Sequence, residues 1–238
     1  MKKKLHILFL CGWYPSSVLS QNGDFIKRHA EAVSSKHRVS VLHIISKTGV
    51  SKTQIEVIKK GDLATYIAYV PTSANPIIKL VRFWNAYKNI LRQIGSFDVV
   101  HLNKLYPFGL FALHLKNYKH RSYIISEHWT GYHLKKQKSL PWTERVLSKK
   151  IAKNASFICP VSTDLKNSML KSGLKGSYEI IPNVVDTHLF KPAKKTTEKF
   201  TITHISNLED QHKNISGMLR VAKQLESSID SFQWNFIG

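Results

Sequence analysis

Several residues whose chemistry suits anion or sugar binding lie at the ends of short apolar runs or in the loops that follow them. Gly23 closes the polar loop G-W-Y-P-S-S-V-L-S-Q-N-G, which follows the first of these runs. A glycine can adopt a positive φ, and its backbone can approach an anion closely. His128 ends another run in S-E-H, where an imidazole can donate a hydrogen bond to a phosphate or a sugar. Taken alone, each residue also fits an ordinary turn or a structural histidine.

The segments around these residues alternate between strand and helix patterns. The patterns predict strands at 5–11, 39–45, 55–60, 65–70, 99–103, 122–128, 156–162 and 178–182. They predict helices at 24–35 (with Asp24 as N-cap), 76–94, 141–154 and 163–171, and one more that begins at Pro107. This alternation predicts an α/β fold with a doubly wound parallel, Rossmann-like sheet. Ligands bind beyond the carboxyl ends of such strands, where the loops 12–23, 103–106, 127–131 and 162–163 all fall.

The C-terminal part of the sequence predicts a second domain. Residues 186–199 include Pro192 and the run A-K-K-T-T-E-K, which is typical of an interdomain linker. Residues 1–185 are therefore expected to form the first domain, and residues 200–238 the first strand–helix–strand of the second. About 40 residues are too few to cover both faces of a sheet, so we expect more of this domain beyond Gly238.

The composition favours an anionic partner. The chain has 36 Lys and Arg residues against 15 Asp and Glu residues, a formal net charge of +21. Such a charge attracts the phosphates of nucleic acids, anionic lipids or nucleotide diphosphates. Cys11 and Cys159 lie in apolar segments, which is typical of reduced core thiols, and no metal-ligand spacing is present. Without a signal peptide or a membrane-spanning stretch, we expect a cytoplasmic protein, either soluble or peripheral at the inner membrane face.

One basic segment suits a membrane surface. Its candidate contacts are Lys135, Lys136, Lys138, Arg145, Lys149 and Lys153. The last three recur at helical spacing, Trp142 lies near the start of the helix, and Glu144 is the only acid in the segment. Each basic residue adds about 1 kcal/mol near an anionic bilayer. A solvated face of a basic protein is the alternative interpretation.

The whole chain resembles the N-terminal part of retaining, nucleotide-sugar-dependent glycosyltransferases of family 4. The matching stretches are W-Y-P…N-G-D-F-I-K-R-H, D-V-V-H-L-N, S-E-H, A-x-F-I-C-P-V-S, I-P-N-V-V-D-T-H-L-F and I-S-N-L…K-N-I-S-G-M-L. The resemblance implies two Rossmann-like domains that face a cleft, the GT-B fold. It also implies that the N-terminal domain mainly binds the acceptor and the C-terminal domain the nucleotide sugar.

The resemblance also implies roles for individual residues. Lys213 matches the lysine that grips the donor diphosphate, where a fixed cation stabilises the charge growing on the departing phosphate. His128 matches a histidine near the transferred sugar, and Gly23 matches the glycine that approaches the donor phosphates. Asn207 stands where the family usually has an arginine, so it can donate a hydrogen bond but no charge. The acceptor-side candidates are Asn22, His101 and Glu127, the last also being interpretable as a solvated loop charge.

The resemblance implies transfer of a sugar to a glycan or lipid-linked acceptor in cell-surface polysaccharide synthesis, without a metal or cofactor. The family's pair of glutamates seven residues apart would lie beyond Gly238, so we expect the 238-residue chain alone to be inactive. One alternative is a sugar-nucleotide epimerase of the same architecture, with His101, Glu127 and His128 as acid–base groups. An inactive binding protein is another, suggested by Asn207. A nucleic-acid-binding protein fits the charge, but no recognition motif accompanies it, so we expect no specific nucleic acid.

Overall fold

A computed structural model of the chain describes residues 3–132, 140–192, 200–229 and 231–238. The chain divides into two compact units, Met1–Val185 and Asp186–Gly238. The basic residues Lys135, Lys136 and Lys138 lie outside the described residues.

The first unit is a seven-stranded sheet with helices on both faces. Its strands are β1 (His6–Cys11), β2 (Arg38–Lys47), β3 (Gln54–Lys60), β4 (Leu63–Pro71), β5 (Val99–Asn103), β6 (Tyr123–Glu127) and β7 (Phe157–Pro160). Its helices are α1 (Asp24–Ser34), α2 (Pro76–Ile94), α3 (Gly109–Lys119), α4 (Trp142–Asn154) and α5 (Thr163–Lys171). The strand order is β3-β4-β2-β1-β5-β6-β7, and every neighbouring pair is parallel except β3 with β4. The prediction of a doubly wound parallel sheet is confirmed.

The strand order places a crevice at the end of β1. The chain first moves from β1 to β2 on one side and later returns to β5 on the other side. The loops that leave β1 and β5 therefore diverge, and such a switch point is where open α/β sheets bind ligands. The register sets Cys11 opposite Asn103, and Asn103 opposite Ser126, so the carboxyl ends of three strands share this edge.

The core lies in two layers, one on each face of the sheet. On one face α2, α3, α4 and α5 cover the sheet, and their largest fully buried side chain is that of Tyr87. On the other face α1 packs Ile26 and Ala30 against Phe9 and Val41. The two layers hold β1 and β5 rigidly in the middle of the sheet, so the loops beyond their ends start from fixed positions. Cys11 and Cys159 are buried free thiols.

Most predicted bounds shift by one or two residues, and three differences change how an element begins or pairs. The N-cap of α1 is Gly23, and Asp24 is already the first residue of the helix. Gly23 has a left-handed backbone, and no side chain caps the helix with a hydrogen bond. Helix α3 begins at Gly109, and Pro107 lies in the turn before it, after a cis peptide bond. The strand predicted at 178–182 is reduced to one bridge between Tyr178 and Ile158. The segment still hydrogen-bonds to β7, because the N–H of Glu179 donates to the carbonyl of Ile158 at 3.0 Å and that of Ile181 to the carbonyl of Pro160 at 3.1 Å.

The second unit contains one strand–helix–strand arrangement. Its elements are β8 (Phe200–Ile205), α6 (Asp210–Lys213), α7 (Ile215–Leu225) and β9 (Phe232–Ile237). β8 and β9 pair in parallel, so the loop after β8 lies at the carboxyl edge of this small sheet. Within the described ranges of both units, no helix combines the length and the apolar character needed to cross a bilayer.

Candidate active site

The loop 12–23 carries the chain from β1 to α1 and ends at Gly23. Gly23 has φ 74°, and a Cβ placed there would lie 2.8 Å from the carbonyl carbon of Trp13. The carbonyl of Gly23 accepts the N–H of Ile26 at 2.8 Å, so its backbone begins the helix directly. Asn22 is partly exposed beside it, and its N–H donates to the carbonyl of Leu19 at 3.3 Å. The tight approach of two backbones explains why a glycine is needed here.

Substitution of Gly23 by alanine should cost more stability than the same change at Gly49. Both glycines have positive φ, 74° and 77°, but a Cβ at Gly49 meets nothing within 4 Å. We expect Gly49→Ala to cost about 1 kcal/mol from backbone strain alone, and Gly23→Ala about 2–3 kcal/mol because the clash with Trp13 is added. Urea unfolding of both variants measures the difference. Equal losses of unfolding free energy in the two variants would show that the backbone of Trp13 does not exclude a Cβ at position 23.

Glu127 is fully buried at the end of β6 and joins two loops of the site. Its Oε2 accepts the N–H of Leu105 at 2.8 Å, and its Oε1 accepts the N–H groups of His128 and Trp129, each at 2.9 Å. Burial raises the pKa of the Glu127 carboxyl, while these three amides and the nearby Lys104 oppose the rise. The interpretation of Glu127 as a solvated loop charge is wrong, because its exposed fraction is 0%. Its carboxylate ties the loop after β5 to the loop after β6.

Lys104 places a cation at the same edge, between two tryptophans. Its Nζ lies 4.1 Å from the ring centroid of Trp13 and 5.3 Å from that of Trp129. Burial lowers the pKa of Lys104, and the carboxylates of Glu127 and Glu144 oppose this shift. Sequence patterns did not single out Lys104. The available signal was a basic residue directly after the last residue of a predicted central strand.

His128 presents ring nitrogens that lack a partner. Its ring centroid lies 4.4 Å from that of Phe25 and 5.8 Å from that of His29, both on α1. Both ring nitrogens are buried, and neither has a hydrogen-bond partner among the residues that the structure describes. Burial, and then the neighbouring His29, lower the pKa of His128 to about 4, while the nearby side chain of Asn183, which also contacts His29 Nε2 at 3.4 Å, opposes the fall. The imidazole is therefore neutral near pH 7 and can donate from one nitrogen and accept at the other.

His101 differs from His128, although both lie near the carboxyl edge of the sheet. Its Nε2 is hydrogen-bonded to Ser126 Oγ at 2.7 Å, and its ring packs 4.4 Å from that of Phe9. Burial lowers the pKa of His101 to about 3, with His29 and His128 adding to the shift. His101 therefore packs beneath the site, whereas Phe25 on the first turn of α1 brings His128 to the same edge as Gly23.

A pocket with both apolar and polar lining residues adjoins the loop 12–23 on the side of β3 and β4. It has a volume of about 440 Å³, and its lining includes Tyr14, Ser17, Lys27, Glu56 and Tyr69. The hydroxyl of Tyr69 donates to Glu56 Oε2 at 2.7 Å and accepts the N–H of Ser17 at 3.1 Å. The sequence could not show that these residues lie together, because they come from distant segments: the loop 12–23 with α1, then β3 and β4.

Lys213 and Asn207 both follow β8 in the second unit. Lys213 is the last residue of α6, is exposed, and its N–H donates to the carbonyl of Glu209 at 2.9 Å. The Nδ2 of Asn207 donates to Glu209 Oε2 at 3.4 Å. Both candidates thus lie beyond the carboxyl end of a parallel strand, the position where such sheets bind ligands.

The N-terminus of α7 lacks a side-chain cap from its N-cap residue. Asn214 occupies the N-cap position with φ 54° but makes no side-chain capping hydrogen bond. Asp210 Oδ1 instead accepts the N–H of Ser216 at 2.6 Å. This contact holds the short turn between α6 and α7, on which Lys213 lies.

The remaining candidates lie on α4. Arg145, Lys149 and Lys153 are exposed, and Trp142 at the start of the helix is 69% exposed. Among the described residues, no group of three or more His, Cys, Asp or Glu side chains is arranged to hold a metal ion.

Comparison with known proteins places the chain in a family. The family model described as Glycosyltransferase Family 4 matches residues 25–189, more than half of the chain. The chain belongs to glycosyltransferase family 4. The match begins in α1 and includes His101, Glu127 and His128, whereas β1 and Gly23 lie before it. No curated protein sequence matches this family 4 chain.

Solved structures share the fold of this family 4 chain at low sequence identity. Sucrose-phosphate synthase from Thermosynechococcus elongatus matches with a TM-score of 0.67 and 16% identity, over 99% of this chain and 62% of that chain. The structure described as trehalose-6-phosphate from E. coli bound with UDP-2-fluoro glucose matches with a TM-score of 0.63 and 10% identity, over 97% and 64%. A protein from Listeria monocytogenes described as a UDP-N-acetylglucosamine 2-epimerase matches with a TM-score of 0.51 and 11% identity, over 98% and 62%.

These matches confirm the GT-B type of the fold. The family 4 chain spans less than two thirds of the length of these three structures.

Proposed function

We propose that the protein is a glycosyltransferase that moves a sugar from a nucleotide-sugar donor to an acceptor with retention of anomeric configuration. The observation that carries this proposal is that two features of a family 4 chain lie at one edge of the sheet. Gly23 has a left-handed backbone, and the neutral ring of His128 has no hydrogen-bond partner among the described residues. A close backbone approach suits a phosphate, and a neutral imidazole suits a sugar hydroxyl or a phosphate oxygen.

The proposed mechanism is a front-face displacement with an oxocarbenium-like transition state. The donor diphosphate would leave with growing negative charge, and Lys213 would stabilise that charge. Asn207 would add a hydrogen bond to the diphosphate, and His128 would contact the transferred sugar. Lys104 offers a further cation at the acceptor edge, where two tryptophans hold it. In this proposal, cationic side chains and backbone amides hold the diphosphate, and the reaction needs no metal or cofactor.

The proposed acceptor is a glycan or a lipid-linked sugar used in cell-surface polysaccharide synthesis, and the proposed location is the cytoplasmic face of the membrane. Two features support this choice. The exposed Arg145, Lys149 and Lys153 give α4 a basic face with an exposed Trp142 at its start. The pocket beside the loop 12–23 includes hydroxyl and charged groups that can hold a sugar.

The epimerase alternative is less well supported by the contacts of its acid–base candidates. The carboxylate of Glu127 is buried and engaged by three backbone amides. The Nε2 of His101 is already hydrogen-bonded to Ser126. Of the three groups that such an enzyme would use, His128 alone keeps unpartnered ring nitrogens within the described part of the chain.

Substitution of Lys213 by alanine in the full-length protein tests the transferase proposal. We expect kcat to fall about a hundredfold, with a smaller change in the KM for the donor, because the lost contact strengthens in the transition state. Release of UDP or GDP from UDP-glucose, UDP-N-acetylglucosamine and GDP-mannose is measured with a membrane lipid extract as acceptor. Lys223→Ala, which removes an exposed lysine from α7, is the matched control. Donor turnover that is the same in Lys213→Ala and Lys223→Ala would contradict the assigned role.

A further inference from the structure

The first turns of α2 extend beyond the core and expose large aliphatic side chains. Ile77 is 70% exposed, Leu80 61% and Val81 52%, and Ile78 between them is also exposed. Further along the same helix, Ala86, Tyr87, Ile90 and Ile94 are buried against the sheet. Single exposed apolar residues are ordinary, whereas four within five positions form a contiguous patch of the kind that marks an interaction surface.

The backbone contacts show that this apolar end is a fixed part of the helix. Asn75 Oδ1 accepts the N–H of Ile77 at 2.9 Å and that of Ile78 at 3.3 Å, which caps the helix. The guanidinium of Arg82 donates to the carbonyls of Pro71 and Thr72, both at 2.9 Å. Capping and this double contact hold the entry into α2, so the aliphatic side chains are presented on an ordered helix.

An apolar groove continues the patch toward α3. It has a volume of about 380 Å³ and is lined by residues that include Leu80, Phe83, Trp84, Pro107, Phe108 and Leu110. Lys79 is the charged residue in the lining, and its Nζ lies 5.8 Å from the ring centroid of Phe83. The groove can therefore take a hydrocarbon chain, with a cation at its margin for an anionic group.

The charges around the patch identify the kind of occupant. The sequence has no acidic residue between Asp62 and Asp98, whereas the same stretch carries Lys79, Arg82, Lys88 and Arg92. Lys88 is exposed, and at a rise of about 1.5 Å per residue it lies about 10 Å from Val81 along the helix. Apolar faces of interfacial helices enter a bilayer by about 5–10 Å. If the first turns of α2 are inserted to this depth, Lys88 lies at the level of the lipid phosphates.

A second exposed apolar and basic segment lies at the same rim. The helices α2, α3 and α4 each follow a parallel strand and pack on the same face of the sheet, so all three begin at its carboxyl edge. At the start of α4, Trp142 is 69% and Val146 43% exposed, and Arg145 beside them is exposed. Tryptophan favours the boundary between headgroups and hydrocarbon, so both helix starts present the composition of a membrane-facing rim.

We propose that the first two turns of α2 and the groove beside them dock the protein on an anionic bilayer. Ile77, Leu80 and Val81 enter the hydrocarbon boundary, and Lys79 and Lys88 contact lipid phosphates. The carboxyl edge of the sheet, with Gly23 and His128, then faces the membrane plane. The choice of a bilayer as occupant rests partly on the proposed lipid-linked acceptor, but vesicle binding itself needs neither donor nor acceptor.

Co-sedimentation with vesicles tests this docking surface. The chain is mixed with vesicles of phosphatidylcholine alone and of phosphatidylcholine with 30 mol% phosphatidylglycerol (roughly the charge density of an anionic leaflet). We expect binding to the anionic vesicles, and a loss of about tenfold or more in the partition coefficient for the double variant Ile77→Gln and Val81→Gln. Both side chains are exposed, so the variant is expected to keep its fold, which circular dichroism checks. Leu219→Gln with Val221→Gln, at 54% and 46% exposure on α7, is the matched control and should bind as the unchanged chain does.

Each other outcome overturns the proposal. Absence of binding to anionic vesicles removes the bilayer as the occupant. Binding that needs phosphatidylglycerol but is unaffected by Ile77→Gln and Val81→Gln shows that charge alone attaches the protein. If the double variant changes from dimer to monomer but binds vesicles as the unchanged chain does, the apolar end of α2 joins two copies of the chain. Transfer of sugar to a water-soluble acceptor, measured separately on the full-length protein with the same two substitutions, is expected to be unchanged, so failure of docking and failure of the transferase proposal are distinguishable.

Discussion

Replacement of Glu127 by alanine is expected to lower the free energy of unfolding of the first unit by about 4 kcal/mol. The carboxylate is fully buried and accepts three backbone N–H groups, those of Leu105, His128 and Trp129. Alanine leaves these donors without their acceptor and removes the carboxylate near the cation of Lys104. Unsatisfied buried donors and an uncompensated buried charge are among the largest single-residue losses that proteins show.

Two further variants separate the causes of this loss. Glu127→Gln keeps an oxygen that can accept two of the amides, but its NH₂ cannot accept the third, so we expect a loss of about 1–2 kcal/mol. Glu31→Ala removes an exposed carboxylate from α1 and should change stability by less than about 0.5 kcal/mol. Urea unfolding followed by tryptophan fluorescence gives the three values. A Glu127→Ala variant as stable as Glu31→Ala would mean that the carboxylate does not hold the two loops.

The position of Glu127 links stability to the candidate site. Its amide contacts fix the backbone of His128 and Trp129 on one side and that of Leu105 on the other. Lys104 directly precedes Leu105, and its Nζ lies over the ring of Trp129. One buried carboxylate therefore orients the loops from which the neutral imidazole and the cation of the site project. The contacts of Glu127 within the described residues are with backbone amides, so they position these two loops.

Elements with strong local signals could be predicted from the sequence. Helix α2 was predicted at its observed bounds from its apolar periodicity, and local signals fix its ends in the structure: Asn75 caps it, Pro76 occupies its first position and Gly95 ends it with φ 74°. The parallel sheet followed from the alternation of strand and helix segments, and with it the edge at which the loops meet. The family motifs then pointed to His128 and Gly23, which lie at that edge.

The contacts among the loops could not be predicted, because they depend on which strands are neighbours. β1, β5 and β6 lie side by side although about 90 residues separate the first two along the chain. The turn at Leu105 decides whether Glu127 is solvated or buried. Trp13 and Trp129 decide whether Lys104 is exposed. No local pattern contains this information. The buried glutamate was therefore misinterpreted, and the lysine was not identified.

Acidification from pH 7 to pH 5 is the second change for which we expect a large effect. Burial lowers the pKa of His43 to about 4 and that of His101 to about 3, from an ordinary value of 6.5. Above pH 6.5 both residues are neutral in the folded and the unfolded chain, so they give no pH dependence there. Below pH 6.5 the unfolded chain binds protons that the folded chain does not, and the free energy of unfolding falls. The two histidines together should remove about 4 kcal/mol by pH 5.

The double variant His43→Gln and His101→Gln isolates this contribution from other groups. Glu127 acts in the opposite direction, because its folded pKa is raised and the folded chain binds its proton first as the pH falls. The informative quantity is therefore the slope of unfolding free energy against pH, and not its value at one pH. Glutamine retains an N–H to donate to the carbonyl of Cys11, which His43 contacts at 2.9 Å, so the variant is expected to fold. Urea unfolding at several pH values between 7 and 5 should give a clearly smaller slope in the variant. An unchanged slope would show that these imidazoles take up protons in the folded chain, and the neutral interior inferred beneath the site would then be wrong.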